Sequence, residues 1–437
     1  MDNRTIQTTD TILKRIAWVS GQDKESSFGS LMYLYNVDSL KQCFSELDGS
    51  KAVGIDGIDK DAYAQNLDVY IEDLVRRMKQ MAYIPGVIRE VLIPKEGQPG
   101  ATRPLGISNI EDKIVQKMTQ KVLEAVYEPI FLDSSHGFRP GIGCHTAIKS
   151  LMKYLYKNEV QTIIDIDLKN FFGTIDHDLL SDILSQKIGD NKFMRYIKRM
   201  FKAGILRDGE LTISEFGVAQ GSISSPILSN IFAHYALDVW IKEMVQPHCK
   251  GNVALFRYAD DAVICCELEG DAKRIREALT KRLEKFKLLL NEEKTKMVNF
   301  SKEKARMGIL QETFDFLGLT FYWGLSRGKR VIPKLKTKSK TLRTKLKKVE
   351  QWIKSVRNKS KLRDIWKTFC SKMRGHIQYY GISHNCASVG KFLYESRKKM
   401  FKWLNRRSQR KSFNWEKFKL FIERHPMPEA KIVHQLF

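Results

Sequence analysis

The sequence predicts an α+β fold whose last quarter turns into an all-helical, strongly basic segment. Three observations predict it. Short β-like runs, Gln161 to Asp167 and Val253 to Leu268, sit among segments of helical periodicity. Amphipathic helical stripes dominate from about Lys334 onward. The charge is divided sharply: residues 1–320 carry 43 Lys+Arg against 44 Asp+Glu, whereas residues 321–437 carry 32 against 6, a net of +26.

Taken in order, residues 1–50 read as an N-terminal extension, with apolar spacing from Leu31 to Leu47 suited to two short helices. Lys51 to Asp59 is a Gly-containing turn. A helix closing near Met81 is stopped by Pro85. Val87 to Pro94 alternates like a strand, and Lys95 to Thr102 is a Gly/Pro loop leading into a second strand, giving a hairpin. Ile110 to Tyr127 repeats apolar residues at helical spacing. The strand Gln161 to Asp167 gives way to helical spacing through Leu184. Gly217 to Ser225 is a Gly/Ser loop feeding a helix from about Ile227 to Trp240. Val253 to Tyr258 and Ala262 to Leu268 flank a tight Ala-Asp-Asp turn, followed by a helix over Asp271 to Leu290 and a strand pair over Phe314 to Trp323. Beyond it, Leu342, Leu346, Val349, Ile353 and Val356 form one stripe on a Lys/Arg-rich helix, and Ile365, Phe369 and Met373 begin another. The expected units are residues 1–50, 51–325 and 326–437.

Composition narrows the function. Hydrophobic residues at 43% and charged residues at 29% are ordinary for a globular chain. No apolar run is long enough to span a membrane, and the first ten residues lack a signal core, so a cytoplasmic protein is expected. Seven Cys without a CxxC pair argue against a disulfide framework or structural zinc, and nine scattered His without HExxH argue against a zinc hydrolase. A basic segment of this density attracts polyanions by releasing counterions. Aromatic residues interleaved with it suit stacking on unpaired bases.

Two segments carry chemistry. In Ile163-Ile164-Asp165-Ile166-Asp167-Leu168 a hydrophobic strand ends on an Asp. In Phe256-Arg257-Tyr258-Ala259-Asp260-Asp261-Ala262-Val263 a hairpin places two Asp at its turn. Adjacent like charges make a poor strand connector unless a cation relieves them. Nucleotidyl transfer requires such an arrangement, with two divalent ions held by carboxylates on neighbouring rigid strands. Between and after these segments lie Ala219-Gln220-Gly221-Ser222, Lys294 and Phe314-Asp315-Phe316-Leu317-Gly318.

That order resembles the palm of reverse transcriptases. From Leu31 onward the chain resembles the reverse transcriptase–maturases encoded by bacterial group II introns. The matching stretches are Lys51 to Gly57, Ile93-Pro94-Lys95, Arg103 to Ile107, His136 to Gly141, Ser225 to Ile231, Arg257 to Asp261, Phe314 to Gly318 and, near the end, Arg374-Gly375-His376-Ile377-Gln378-Tyr379-Tyr380-Gly381. The resemblance implies a right-hand polymerase, with fingers and an antiparallel palm followed by an all-α thumb/maturase domain. It implies Asp167, Asp260 and Asp261 as catalytic metal ligands, with the Leu168 carbonyl beside them and two Mg²⁺ (or Mn²⁺) as cofactors. Asp165 is taken as non-catalytic by its position in the motif. Phe172 stands where the family places the ring that excludes a ribose 2′-hydroxyl. Lys95 and Arg103 match the pair gripping the incoming triphosphate, Gln220 the residue at the nascent pair, and Lys294 a candidate acid for pyrophosphate. Lys338, Lys345, Lys348 and Arg374 are expected to bind RNA. Two departures stand out: Gly173 replaces the usual Asp after Phe171-Phe172, and Ser222-Ile223-Ser224 replaces a Gly and apolar residues.

The expected function is RNA-directed DNA synthesis from an RNA template, a primer and dNTPs, with maturase action on a group II intron RNA as a ribonucleoprotein. No Cys-paired endonuclease module is seen before Phe437. Two rivals are a domesticated enzyme in DNA repair or defence, and a splicing-only RNA-binding maturase. Three intact carboxylates oppose the second.

Overall fold

The computed structural model describes residues 8–94, 100–207, 210–213, 216–407 and 414–436. Strands β1 (Ile88–Pro94), β2 (Thr102–Ile107), β3 (Thr162–Ile166), β4 (Ile205–Arg207), β5 (Glu210–Thr212), β6 (Val253–Tyr258), β7 (Asp261–Cys266), β8 (Lys296–Asn299), β9 (Phe314–Phe316), β10 (Leu319–Leu325) and β11 (Val331–Thr337) fall into three sheets. Their orders are β2-β1-β4-β5, β6-β7-β3-β8 and β11-β10-β9.

The central sheet is antiparallel throughout, as expected. In it Ile166 is opposite Ala262, and Tyr258 is opposite Asp261. Both faces are buried at β3, β6 and β7, so β3 and β7 read as continuous apolar runs rather than as a half-polar alternation. Period two still sorts their side chains. Ile164, Ile166, Ala262, Ile264 and Cys266 enter a core shared with the N-terminal helices. Ile163, Val263, Cys265 and Val298 enter a second core, shared with Val349, Ile353, Phe369 and Met373 of the C-terminal helices.

The N-terminal unit is mostly helical. Asn36 and Asp59 cap their helices by accepting bonds from Ser39 N and Ala62 N. Buried Asp190 accepts backbone N–H bonds from Leu31, Met32, Lys192 and Phe193, tying the lead-in to the Asn191–Phe201 helix. The helix over Ile110–Tyr127 has the bounds its periodicity predicts.

Three elements differ from expectation. The helix expected over Ile227 to Trp240 is α-helical only over Ser225–Ala233. It then widens into π turns over His234–Asp238 and Trp240–Val245, which aim Asp238 at a buried arginine. The helix expected over Asp271 to Leu290 occupies Glu269–Lys285 and stops before Lys287, whose φ is +55°. The 325/326 division falls at the tip of the β10–β11 hairpin. Val331 to Thr337 reads as part of a basic tract, yet it pairs residue by residue with β10, from Leu325↔Val331 to Leu319↔Thr337. Pro333 is tolerated because β11 is an edge strand.

The C-terminal helices Ser339–Val356, Leu362–Tyr380, Cys386–Leu404 and Trp415–Arg424 pack on this hairpin and on the central sheet. Their aromatic residues are largely spent inside the protein. Trp366 and Trp403 are buried, and the cationic heads of Lys354, Arg357 and Arg406 lie 4.6, 4.8 and 4.9 Å from the Trp403 ring. Among the described residues, no helix is long and apolar enough to cross a membrane.

The shared second core makes the C-terminal helices part of the same cooperative unit as the central sheet. Phe321, fully buried on β10 and stacked on Phe314 at 4.9 Å, tests this. Phe321→Ala is expected to lower unfolding stability by about 3–5 kcal/mol. Urea unfolding followed by Trp fluorescence should show one shifted transition, not two.

Candidate active site

The carboxylates meet at one end of the central sheet. Asp167 follows β3 directly, and the β6–β7 hairpin closes through the two-residue loop Ala259-Asp260. Side-chain alternation puts Asp165, Asp167 and Asp261 on the face that looks toward the C-terminal helices. All three line one cleft of about 360 Å³, with Lys294, Asp315 and Lys338 also on its wall.

Repulsion and partial desolvation shape its electrostatics. Asp260 and Asp261 touch solvent, but the cleft walls displace much of their water. That burial, followed by the charges of Asp260 and Asp167, pushes Asp261 up to about 6. Asp260 is raised by burial and then by Asp167. Asp165 is pushed up to about 7 by burial, then by Asp261 and Asp315. Hard oxygen donors converging under mutual repulsion suit a divalent cation such as Mg²⁺. Among the described residues no three His, Cys, Asp or Glu side chains stand at ligating distance of one point, so the donor set is convergent but not closed.

Asp167 is held by Asn291 and Thr295, two residues to which sequence reasoning gave no role. Asn291 donates its backbone N–H to the Asp167 carbonyl at 2.8 Å and its Nδ2 to Oδ2 at 2.7 Å. Asp167 N donates to Thr295 Oγ1 at 3.2 Å. The available signal was the polar Asn291-Glu292-Glu293-Lys294-Thr295 turn directly ahead of β8, which pairs with β3. Lys294 faces the site: its Nζ is 3.4 Å from Asp167 Oδ2, while neighbouring Glu292 pairs with Arg276. Leu168 is buried in a bridge to Leu290, which fixes the backbone just after Asp167.

Phe172 lies half-buried on the short Phe171–Thr174 helix. Its ring meets Phe138 edge-on at 6.2 Å, joining the His136 to Gly141 stretch to the strand that ends on Asp167. Gly173 is crowded, since a Cβ there would come within 2.3 Å of Asn170 Nδ2. The Gln220 carbonyl accepts the Gly106 N–H at 2.6 Å. Gly221, at φ +109°, would place a Cβ 2.5 Å from the Gly106 carbonyl, so the Gln-Gly loop seats directly against β2. The Ser222-Ile223-Ser224 departure is wired in as well: Ser222 Oγ and Ser224 Oγ lie 3.3 Å apart, and Ile223 N donates to Gln116 Oε1 at 3.2 Å. Arg103 is exposed on β2 opposite Ile93. Lys95 lies outside the described residues.

The four residues expected to bind RNA are dispersed. Lys338 pairs with Asp315 at 3.1 Å inside the cleft. Lys345 is half-buried, with its Nζ 5.4 Å from the Tyr380 ring. Lys348 and Arg374 are exposed. Of the signature around Arg374, the inner half serves packing: Tyr379 Oη donates to the Leu317 carbonyl at 3.1 Å, and His376 stacks on Phe392 at 3.6 Å.

With this geometry in place, comparison with known proteins is decisive. The family model described as "Reverse transcriptase (RNA-dependent DNA polymerase)" matches residues 93–321. The chain belongs to the reverse transcriptase family. The matched span runs from the end of β1 to β10 and so includes all three carboxylates. This reverse transcriptase is similar to group II intron-encoded protein LtrA of Lactococcus lactis subsp. cremoris, at 30% identity over 69% of the chain and 48% of LtrA. It is similar to protein YkfC of Escherichia coli (strain K12), at 31% identity over 57% of the chain and 73% of YkfC. A third relative is an uncharacterized 91 kDa protein in a cob intron of Schizosaccharomyces pombe, at 36% identity over 48% of the chain and 26% of that protein. The chain thus spans about half the length of LtrA.

One glycine of the reverse transcriptase tests how tightly the carboxylate turn is held. A Cβ on Gly137 would stand 2.2 Å from Ala259 N, a backbone atom that cannot swing aside. Gly137→Ala is expected to displace the turn and cut primer extension about 100-fold, although it removes no reactive group. Circular dichroism should show the variant still folded.

Proposed function

We propose that this protein is an RNA-directed DNA polymerase that acts with a group II intron RNA, copying RNA into DNA and assisting splicing and mobility of the intron. The observation that carries the polymerase reading is the convergence of Asp167 and Asp261 in one cleft at the ends of neighbouring strands, with Asp260 beside them in the hairpin turn. The intron assignment rests on the relatives named as intron-encoded or intron proteins.

Asp167, Asp260, Asp261 and the Leu168 carbonyl are the groups that would hold two Mg²⁺ ions, with Mn²⁺ as a substitute. Bound there, the ions supply Lewis acidity that activates the primer 3′-hydroxyl and neutralises charge on the transferred phosphoryl group. The protein's own residues do the rest. Asn291 and Thr295 orient Asp167. Lys294 stands close enough to that carboxylate to bring a proton to the leaving pyrophosphate. Arg103 and Lys95 offer a fork and a point charge to the triphosphate. Gln220 borders the nascent pair, and Phe172 presents a ring edge against a 2′-hydroxyl.

The C-terminal helical unit serves as polymerase thumb and as RNA-holding surface. Binding to phosphate falls to the exposed cations of its helices, among them Lys340, Arg343, Lys347 and Arg374. The partners are an RNA template, a primer, dNTPs and a structured intron RNA, and the expected setting is a bacterial cytoplasmic ribonucleoprotein.

Primer extension on an RNA template with Mg²⁺, comparing dNTPs with NTPs, is the direct test. Wild type should use dNTPs. Asp260→Asn and Asp167→Asn should abolish synthesis while RNA binding persists, and Phe172→Val should raise ribonucleotide use. Near-normal extension by either Asp variant would remove the site assignment.

A salt series tests the RNA-binding surface. For each phosphate that the protein no longer neutralises, the slope of log affinity against log salt should flatten by about 0.7–0.9. Replacing Lys340, Arg343 and Lys347 with Gln should flatten it by roughly two, measured by fluorescence anisotropy. An identical slope would mean that this helix face does not meet RNA.

A further inference from the structure

Arg257 occupies the middle of an apolar strand and is fully buried, at 0% exposure. Its side chain points away from the carboxylate cleft, into the core shared with the N-terminal helices. A guanidinium has five N–H donors, and the structure gives them five acceptors. Nε and Nη2 meet the two carboxylate oxygens of Asp238 at 2.7 and 2.6 Å. Nη1 meets Asn230 Oδ1 and the Ala259 carbonyl, each at 3.0 Å. Nη2 also reaches Ser135 Oγ at 2.6 Å.

These acceptors belong to four residues on three separate segments, and each bears on the carboxylate turn. Ala259 is the turn: its φ of +57° is uncommon for a residue with a Cβ, and its carbonyl is tethered by the guanidinium. Ser135 lies just ahead of Gly137, whose backbone presses on Ala259. Asn230 belongs to the helix that follows the Gln220-Gly221 loop, and its Nδ2 donates to the Gly137 carbonyl. Asp238 sits where that helix widens into π turns, a distortion frequent at functional sites.

A buried ion pair is weak support for stability, since apolar residues of equal volume often do as well. An apolar side chain cannot, however, fix a turn carbonyl in a left-handed conformation and tie two other segments to it. We infer that Arg257 is a positioning residue for Asp260 and Asp261: through Asp238, Asn230 and Ser135 it sets the backbone that aims the two carboxylates at the metal site. This rests on the polymerase reading above. Lysine cannot replace it, because one ammonium offers three donors at a single point rather than a planar fork.

The test uses the full chain with Arg257→Lys, Asp238→Asn and the milder Asn230→Ala. Two readouts are taken: single-nucleotide addition on a pre-bound primer–template at saturating dNTP, and Mn²⁺ affinity by electron paramagnetic resonance with a dideoxy-terminated primer, where no chemistry occurs. Arg257→Lys and Asp238→Asn should lower the maximal rate and weaken Mn²⁺ binding by about 10–100-fold, as loss of a ligand-orienting partner typically does. Half-saturating dNTP and RNA affinity should not move. Should those two variants fail to fold, Asn230→Ala must show a smaller shift of the same kind. Wild-type rate and Mn²⁺ affinity in a folded variant would overturn the inference. So would a loss that disappears on cooling in step with the folded fraction. Asp260→Asn, run alongside, separates this from the underlying reading: if it still extends primers, the site assignment itself fails, whatever Arg257 does.

Discussion

The central sheet is the constraint on which the rest of the structure depends. Three of its strands, β3, β6 and β7, must be covered on both faces, and no single segment of the chain covers both. The N-terminal helices close one face around Ile164, Ile166 and Ile264, and the C-terminal helices, with the Cys144–Lys157 helix, close the other around Ile163, Val263 and Cys265. Double coverage makes β3 and β7 rigid and almost wholly apolar, and rigidity is what lets like charges be held together at their ends. Strand alternation then assigns roles by parity: carboxylates on the C-terminal face, the organising guanidinium on the other. A one-residue slip of β7 against β3 would exchange these faces, so the two cores also specify the register.

Much of this was legible in the sequence, for a physical reason in each case. β3, β6 and β7 announce themselves because buried strands are continuous apolar runs, and an Asp ending such a run is conspicuous. The Ile110–Tyr127 helix was readable to the residue because its apolar spacing is undiluted. Illegible features were those that depend on distant partners. The π turns follow from Asp238 reaching Arg257, 19 residues further along the chain. Asn291 looks like any polar turn residue until β8 pairs with β3. Lys338 and Lys345 read as RNA ligands by charge alone, yet one is held by Asp315 and the other lies against Tyr380.

The basic unit illustrates how composition can mislead about use while being right about class. Its aromatic residues look suited to base stacking, but many cradle the protein's own cations, as the Trp403 ring does with Lys354, Arg357 and Arg406. Such pairs let a segment of net +26 pack a core despite its self-repulsion. The charge remaining for nucleic acid is therefore a subset carried on exposed helix faces. Interlocking of Tyr379 with the Leu317 carbonyl shows the same economy, with one signature stretch steadying another.

The two-sided covering of the sheet also sets an order of events during synthesis. Chains emerge from the ribosome amino-terminus first, at about 5–20 residues per second, and domains generally fold as units. The N-terminal helices can close their face early. The opposite face, with Ile163, Val263 and Cys265, gains Ile148 and Leu151 of the Cys144–Lys157 helix early, but its remaining partners, near Val349, Ile353 and Phe369, come last. A nascent chain that has already exposed Asp260 and Asp261 therefore still carries a partly uncovered apolar sheet. It completes its fold only as the strongly basic tract appears, so maturation of the catalytic end and arrival of the RNA-attracting charge coincide in time.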